Sequence, residues 1–188
     1  MNSKEFSVRN LLRKMNVYEL CTTNTPLEDL KYHELIEKDK DIDFKVSPSF
    51  RPDFNFEFAG LNTYVHKYRE ITGGSITRFS DFLAIIKKRI EFFADHGCKI
   101  TDHSFDGMPF DRDCSLERAN QIFEKLNRTF YFTPEDSKVL YGCLMVEVGK
   151  LYHEYNLAQQ YHIGALRNAS TRMYKKYGMD IGCDCIED

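Results

Sequence analysis

Phe79 to Asp102 reads FSDFLAIIKKRIEFFADHGCKITD. Phe79, Phe82, Leu83, Ile86, Ile90 and Phe93 recur at three- and four-residue steps, which predicts an amphipathic helix. His96-Gly97 is a helix stop. Cys98 to Asp102 then reads as a short strand. A helix that runs straight into a strand is the repeating unit of an α/β protein.

The same alternation extends in both directions. Upstream, Val17 to Thr23 (VYELCTT) and Phe44 to Phe50 (FKVSPSF) read as strands. Pro48 cannot donate to a ladder, so a bulge or an early strand end is expected near it. Between these two strands, Thr25-Pro26 with Glu28 predicts a capped helix start, with Leu27, Leu30, Leu35 and Ile36 inward. Downstream, Ser115 opens a helix with Leu116, Ala119, Ile122, Phe123 and Leu126 inward. Thr133-Pro134-Glu135-Asp136 opens the longest helix, carrying Val139, Leu140, Cys143, Leu144 and Leu151. Gln159 to Ile163 is the fourth strand. The order is helix, strand, helix, strand, two helices, strand, two helices, strand, helix. That order means parallel strands joined by right-handed crossovers. Parallel strands need both faces covered. Four of them suit an open sheet or half of a (β/α)8 barrel.

The chain has 188 residues, 42% hydrophobic and 29% charged, with 15 Phe and 11 Tyr. So many rings argue against disorder. With no linker or low-complexity stretch, one domain over residues 1–188 is expected. A net charge of −3 with dispersed basic residues gives no case for nucleic acid. No run of apolar residues is long enough to span a membrane, and Met1 to Lys14 lacks a secretory core. A cytoplasmic protein is expected. The six cysteines are then expected to be free thiols. Cys21, Cys98 and Cys143 read as small core residues, and Cys183-Asp184-Cys185 does not match a zinc spacing. The common phosphate, dinucleotide, metalloprotease and hydrolase motifs do not occur.

Polar residues collect where the strands end. Thr22-Thr23-Asn24 follows the first strand, and Arg51-Pro52-Asp53 the second. Asp102 and His103 end the third, and His162 the fourth, with Arg167-Asn168 just beyond. Sites in α/β proteins form at the carboxyl ends of strands. Arg51 and Arg167 could converge on an anion, since guanidinium binds carboxylate bidentately. Asp102 is a candidate general acid or base. His162 is a candidate metal ligand, proton carrier or hydrogen-bond donor, and spacing alone does not choose between it and His103. His33, His66, His96 and His153 lie on or at the ends of helices and read as surface or filler residues.

Ser49-Phe50-Arg51-Pro52-Asp53, Thr101-Asp102-His103 and His162-Ile163-Gly164-Ala165-Leu166-Arg167-Asn168 closely resemble the uronate isomerases of the amidohydrolase superfamily. Leu20-Cys21-Thr22-Thr23 with Pro26, Leu30-Lys31-Tyr32-His33 and Thr171-Arg172-Met173 fit the same pattern. The resemblance covers nearly the whole chain. It implies interconversion of D-glucuronate with D-fructuronate, and of D-galacturonate with D-tagaturonate, by proton transfer between C2 and C1. It further implies Asp102 as the catalytic carboxylate, His162 beside metal and substrate, and Arg51, Arg167 and His103 as substrate-binding groups.

Some family features are absent. The family's members are considerably longer and carry His-x-His on the first barrel strand and a metal-binding aspartate on the last. No His-x-His occurs here, and Ser104 stands where the family has Gly. The motifs match strands two to five of the barrel. The expected fold is therefore a partial (β/α)8 TIM barrel of about four parallel strands with extra helices. The family's divalent, zinc-like metal is expected not to bind this chain alone, with His162 its one candidate ligand. The isolated segment is expected to be inactive, with a uronic acid as ligand. A homo-oligomer or a complementary fragment would cover its open edges. The rival readings are a non-catalytic half-barrel binding or assembly module, and another metal-dependent hydrolase of the same superfamily.

Overall fold

A computed structural model of the chain describes residues 4–52, 58–105, 114–129, 131 and 133–186. Four strands form one sheet in the order β1-β2-β3-β4, every neighbouring pair parallel: β1 Glu19–Asn24, β2 Lys45–Phe50, β3 Ile100–Phe105 and β4 Ala158–Ile163. The helices are α1 Val8–Lys14, α2 Lys31–Glu37, α3 Phe58–Thr72, α4 Phe79–Asp95, α5 Leu116–Thr129, α6 Pro134–Glu154 and α7 Thr171–Tyr177. Strand order follows chain order without reversal. Right-handed crossovers in one direction place all connecting helices on one face, as in a barrel. A doubly wound sheet would need the order to reverse.

The side-chain alternation agrees. One face of the sheet carries Phe50, Thr101, His103 and Phe105, all buried beneath the helices. The core there is aromatic: Phe50 meets Phe93 edge-on at 5.1 Å, and Phe82 stacks on Phe123 at 6.3 Å. The other face carries Glu19, Cys21 and Thr23 from β1; Lys45, Ser47 and Ser49 from β2; Ile100, Asp102 and Ser104 from β3; and Ala158, Gln160 and His162 from β4. It is polar, and most of it is open to solvent. Among the described residues, the expected cover on both faces is thus present on one only. The open face is the one a closed barrel would turn inward.

The best-signposted elements form where expected. In α6 the Thr133 hydroxyl accepts from the Asp136 N–H (3.1 Å), and Asp136 Oδ2 accepts from the Thr133 N–H (3.0 Å), with Pro134 in the first turn. Along α4, Phe79, Phe82, Ile86, Ile90 and Phe93 are fully buried.

Several expectations are corrected. β3 runs on to Phe105, so Asp102 and His103 lie inside the strand and face opposite sides of the sheet. Pro48 causes neither a bulge nor an early end. Lys45 N–H donates to the Tyr18 carbonyl and Arg51 N–H to the Asn24 carbonyl, so odd-numbered residues of β2 face β1. Pro48 turns its missing N–H toward β3, where pairing starts only at Ser49 opposite Ile100. Thr25 to Glu28 is a turn and α2 starts only at Lys31; Glu28 accepts from the Thr25 N–H as expected of a cap, and its other oxygen accepts from Asn24 of β1. Leu30, buried, takes a left-handed conformation (φ 56°) to enter that helix. Cys21 is exposed on the open face, whereas Cys98 and Cys143 are buried. Leu116 is exposed at the start of α5. A two-stranded antiparallel ribbon of β5 Ala165–Leu166 and β6 Cys185–Ile186 was not expected.

Candidate active site

The alternation of a strand dictates what can meet. In β4, Gln160 and His162 are two residues apart and share the open face with Asp102 and Ser104 of β3, their register partners. Arg51 follows β2 directly on the same side. These placements bring a guanidinium, an imidazole and a carboxamide together over Asp102. Arg51 Nη1 donates to Asp102 Oδ2 (3.3 Å). His162 Nδ1 lies 2.9 Å from Asp102 Oδ1, and Gln160 Nε2 donates to the same oxygen (3.2 Å). The Asp102 side chain is only 12% exposed, against 36% for His162. Asp102 is thus the enclosed centre of the cluster and His162 its accessible part.

The contact orients His162. An ionised carboxylate only accepts, so Nδ1 carries the ring hydrogen and Nε2 of the neutral ring is left as a proton acceptor. Arg51 is located at its backbone too, since its N–H donates to the Asn24 carbonyl. Asn24, itself buried, donates from Nδ2 to Glu28 Oε2 (2.8 Å) and accepts from the Thr22 hydroxyl (2.6 Å). His33 joins this network through Thr22 (2.7 Å) and is more than surface filler. Burial lowers its pKa. Gln160 and Asn24 were not among the residues expected to matter. For Gln160 the signal was available, since it is two positions from His162 on a strand.

The structure does not bring all five predicted residues together. His103 is 1% exposed and lies behind the sheet, its Nε2 3.0 Å from the Tyr152 hydroxyl and its ring stacked on Tyr161. Its Nδ1 has no hydrogen-bond partner among the described residues. Burial pushes its pKa down to about 4. The expectation that His103 binds substrate alongside Asp102 is therefore not matched by its placement. Arg167 follows β5, and its Nη1 donates to Asp184 Oδ2 (2.7 Å) instead of meeting Arg51 over a shared anion. Asp184 also accepts from the Asn168 N–H (2.9 Å), which ties the ribbon together. Asp53 lies outside the described residues.

Among the described residues no group of three or more His, Cys, Asp or Glu side chains could hold a metal ion. Asp102 and His162 are hydrogen-bonded to each other, and two donors fall short of the four of a zinc site. The described residues do not fit a metal.

Comparison with known proteins matches this geometry to a family. The glucuronate isomerase family model matches residues 1–188. The chain belongs to the glucuronate isomerase family. The uronate isomerase of Caldanaerobacter subterraneus is 39% identical over 190 residues, covering 100% of this chain and 41% of that protein. That of Yersinia enterocolitica is 38% identical over 185 residues, covering 97% of this chain and 39% of the relative. Among solved structures, the uronate isomerase of Thermotoga maritima superposes with a TM-score of 0.80 at 31% identity, over 96% of this chain and 40% of that one. The chain thus spans about two fifths of the length of the relatives it matches. Its four-stranded sheet is a partial (β/α)8 barrel, a segment of the uronate isomerase architecture.

Proposed function

We propose that this chain contributes the Arg51–Asp102–His162 cluster to a uronate isomerase of the amidohydrolase superfamily, acting in the cytoplasm on a small uronic acid. The observation that supports this reading is a carboxylate, an oriented imidazole and a guanidinium meeting on the open face of the barrel segment. Aldose–ketose isomerisation needs a base, a group that stabilises the enediolate oxygen and a clamp for the substrate's carboxylate, and these side-chain types can supply such roles. A base removes the proton from C2, and the C–H electron pair forms the C1–C2 double bond of an enediol as the C1 carbonyl oxygen gains a proton. The hydroxyl proton on O2 then leaves, the carbonyl forms at C2, and C1 takes up a proton, so the reaction is proton-neutral. His162 Nε2, held by Asp102, is the accessible site for carrying that proton. The Arg51 guanidinium, held beside Asp102, is the positive group for the substrate's oxygens. Arg167 holds the substrate's far end only if it leaves Asp184. D-Glucuronate with D-fructuronate, and D-galacturonate with D-tagaturonate, are the substrate pairs.

With no metal-fitting donor set among the described residues, the segment alone is proposed to bind the sugar acid without turning it over. Residues 1–188 form one domain in this reading, and a second copy or a complementary polypeptide closes the barrel. Calorimetric titration of the purified chain with D-glucuronate tests the proposal. Saturable binding that Arg51→Gln abolishes is expected. Binding unchanged in that variant would overturn the assignment of the site. Ketose formation by the chain with no added polypeptide would overturn its inactivity.

A further inference from the structure

A second cleft of about 760 Å³ opens between α3, the start of α4 and α5, and none of its described lining residues belongs to the sheet that carries Asp102. Its lining is cationic: His66 and Arg69 from α3, Arg78 at the start of α4, and Arg128 near the end of α5. Glu124 is the only carboxylate among the described lining residues. Arg78 Nε donates to it (2.9 Å), whereas Arg69 and Arg128 have no carboxylate partner among the described residues.

All three guanidiniums are held by the protein through one nitrogen each. Arg69 Nη2 donates to the Ile76 carbonyl, Arg78 Nε to Glu124, and Arg128 Nε to the Glu124 carbonyl. The remaining two nitrogens of each have no partner among the described residues. Asn127, which also lines the cleft, is fixed from Nδ2 to the Thr77 carbonyl (2.8 Å). Pre-positioned donors lose less freedom when a ligand arrives. The three arginines and one glutamate leave an excess of two positive charges before His66 is counted. Like charges gathered without counter-charge repel, and that repulsion is relieved by an anion.

We infer that this cleft binds a small polyanion of the phosphate class, at a site separate from the Asp102 cluster. The size suits a small molecule. Arginine's fork of N–H donors matches the oxygens of phosphate. Binding there would tie α3, α4 and α5 to one another, and α4 packs against Phe50, the residue before Arg51. The cleft is thus placed to act as an effector site for the sheet it backs.

Pyrophosphate is the probe for the test, titrated calorimetrically into the full chain at low ionic strength. One site per chain is expected, weakening as salt is added. The double variant R69Q/R128Q is expected to bind at least about tenfold more weakly, having lost two charge-assisted donors. R51Q is expected to bind as the parent does. Circular dichroism on each variant confirms that the fold is kept, and the single variant R128Q, exposed on α5, serves if the double variant unfolds. Absence of saturable binding would overturn the inference. So would binding lost in R51Q and kept in R69Q/R128Q, which would place pyrophosphate at the Asp102 cluster.

Discussion

Replacing His103 by Gln tests the register on which the whole site depends. If β3 were shifted by one residue, His103 would face the open side and Asp102 the core. In the observed register His103 is buried against Tyr152, and its pKa falls from the usual 6.5 to about 4 because burial penalises the charged ring. A histidine with a lowered folded-state pKa is neutral in both states at high pH. As pH falls below 6.5 the unfolded chain takes up a proton that the folded chain does not, and stability is lost until about pH 4. Integrating between pH 7 and pH 5 gives a loss of about 2 kcal/mol from this one residue. Gln cannot titrate but can still hydrogen-bond the Tyr152 hydroxyl. Urea unfolding of parent and variant at the two pH values measures the difference. His103→Gln is expected to remove about 2 kcal/mol of the parent's pH dependence, even if the variant is less stable at pH 7. Identical pH dependence in both proteins, or an NMR titration of His103 centred near 6.5, would refute the buried placement.

Other consequences follow from single contacts. Thr133→Ala removes the hydroxyl that caps α6 and is expected to cost about 1 kcal/mol, read from the urea midpoint, with Thr133→Ser retaining most of it. Burial pushes the Cys143 thiol up to about 11, so iodoacetamide at pH 7.5 is expected to alkylate exposed Cys185 well before Cys143 by mass spectrometry. Phe50→Ala opens a hole beside Phe93 and Tyr152 and is expected to cost about 3–5 kcal/mol, lowering the thermal midpoint steeply. Asn156, at φ 54° between α6 and β4, is expected to accept Gly with little change, whereas Asn156→Val should cost about 1–2 kcal/mol or more in denaturant melts.

Local signals account for most of the architecture. Thr133-Pro134 with Asp136, and the apolar face of α4 running to His96-Gly97, could be read because caps and period are written in adjacent residues. The four strands were visible for the same reason, and their alternation with helices implied parallel pairing. What could not be read locally was decided by distant partners. Glu28 does accept from the Thr25 N–H as a cap would, yet its other oxygen is taken by Asn24 of β1, and the helix starts only at Lys31. Thr101-Asp102-His103-Ser104 looks like a strand end because it is polar, yet it runs through the sheet, with Asp102 satisfied by Arg51 and His162 from two other elements. Arg167 meets Asp184 across 17 residues, a pairing that composition does not reveal. Asp102, His162 and Arg51 were legible as candidates because polar residues gather at the carboxyl ends of the strand runs, where sites of α/β proteins form.

The most direct measurement is an NMR titration of the isotopically labelled chain with D-glucuronate, following side-chain and backbone signals together. The His162 ring, the Gln160 side-chain amide and the Arg51 guanidinium are predicted to shift in one saturable step. His103 and Tyr152, on the far face of the same sheet, are predicted to stay in place. Shifts confined to His103 and Tyr152, or to Arg69 and Arg128, with His162 unmoved, would contradict this assignment of the site.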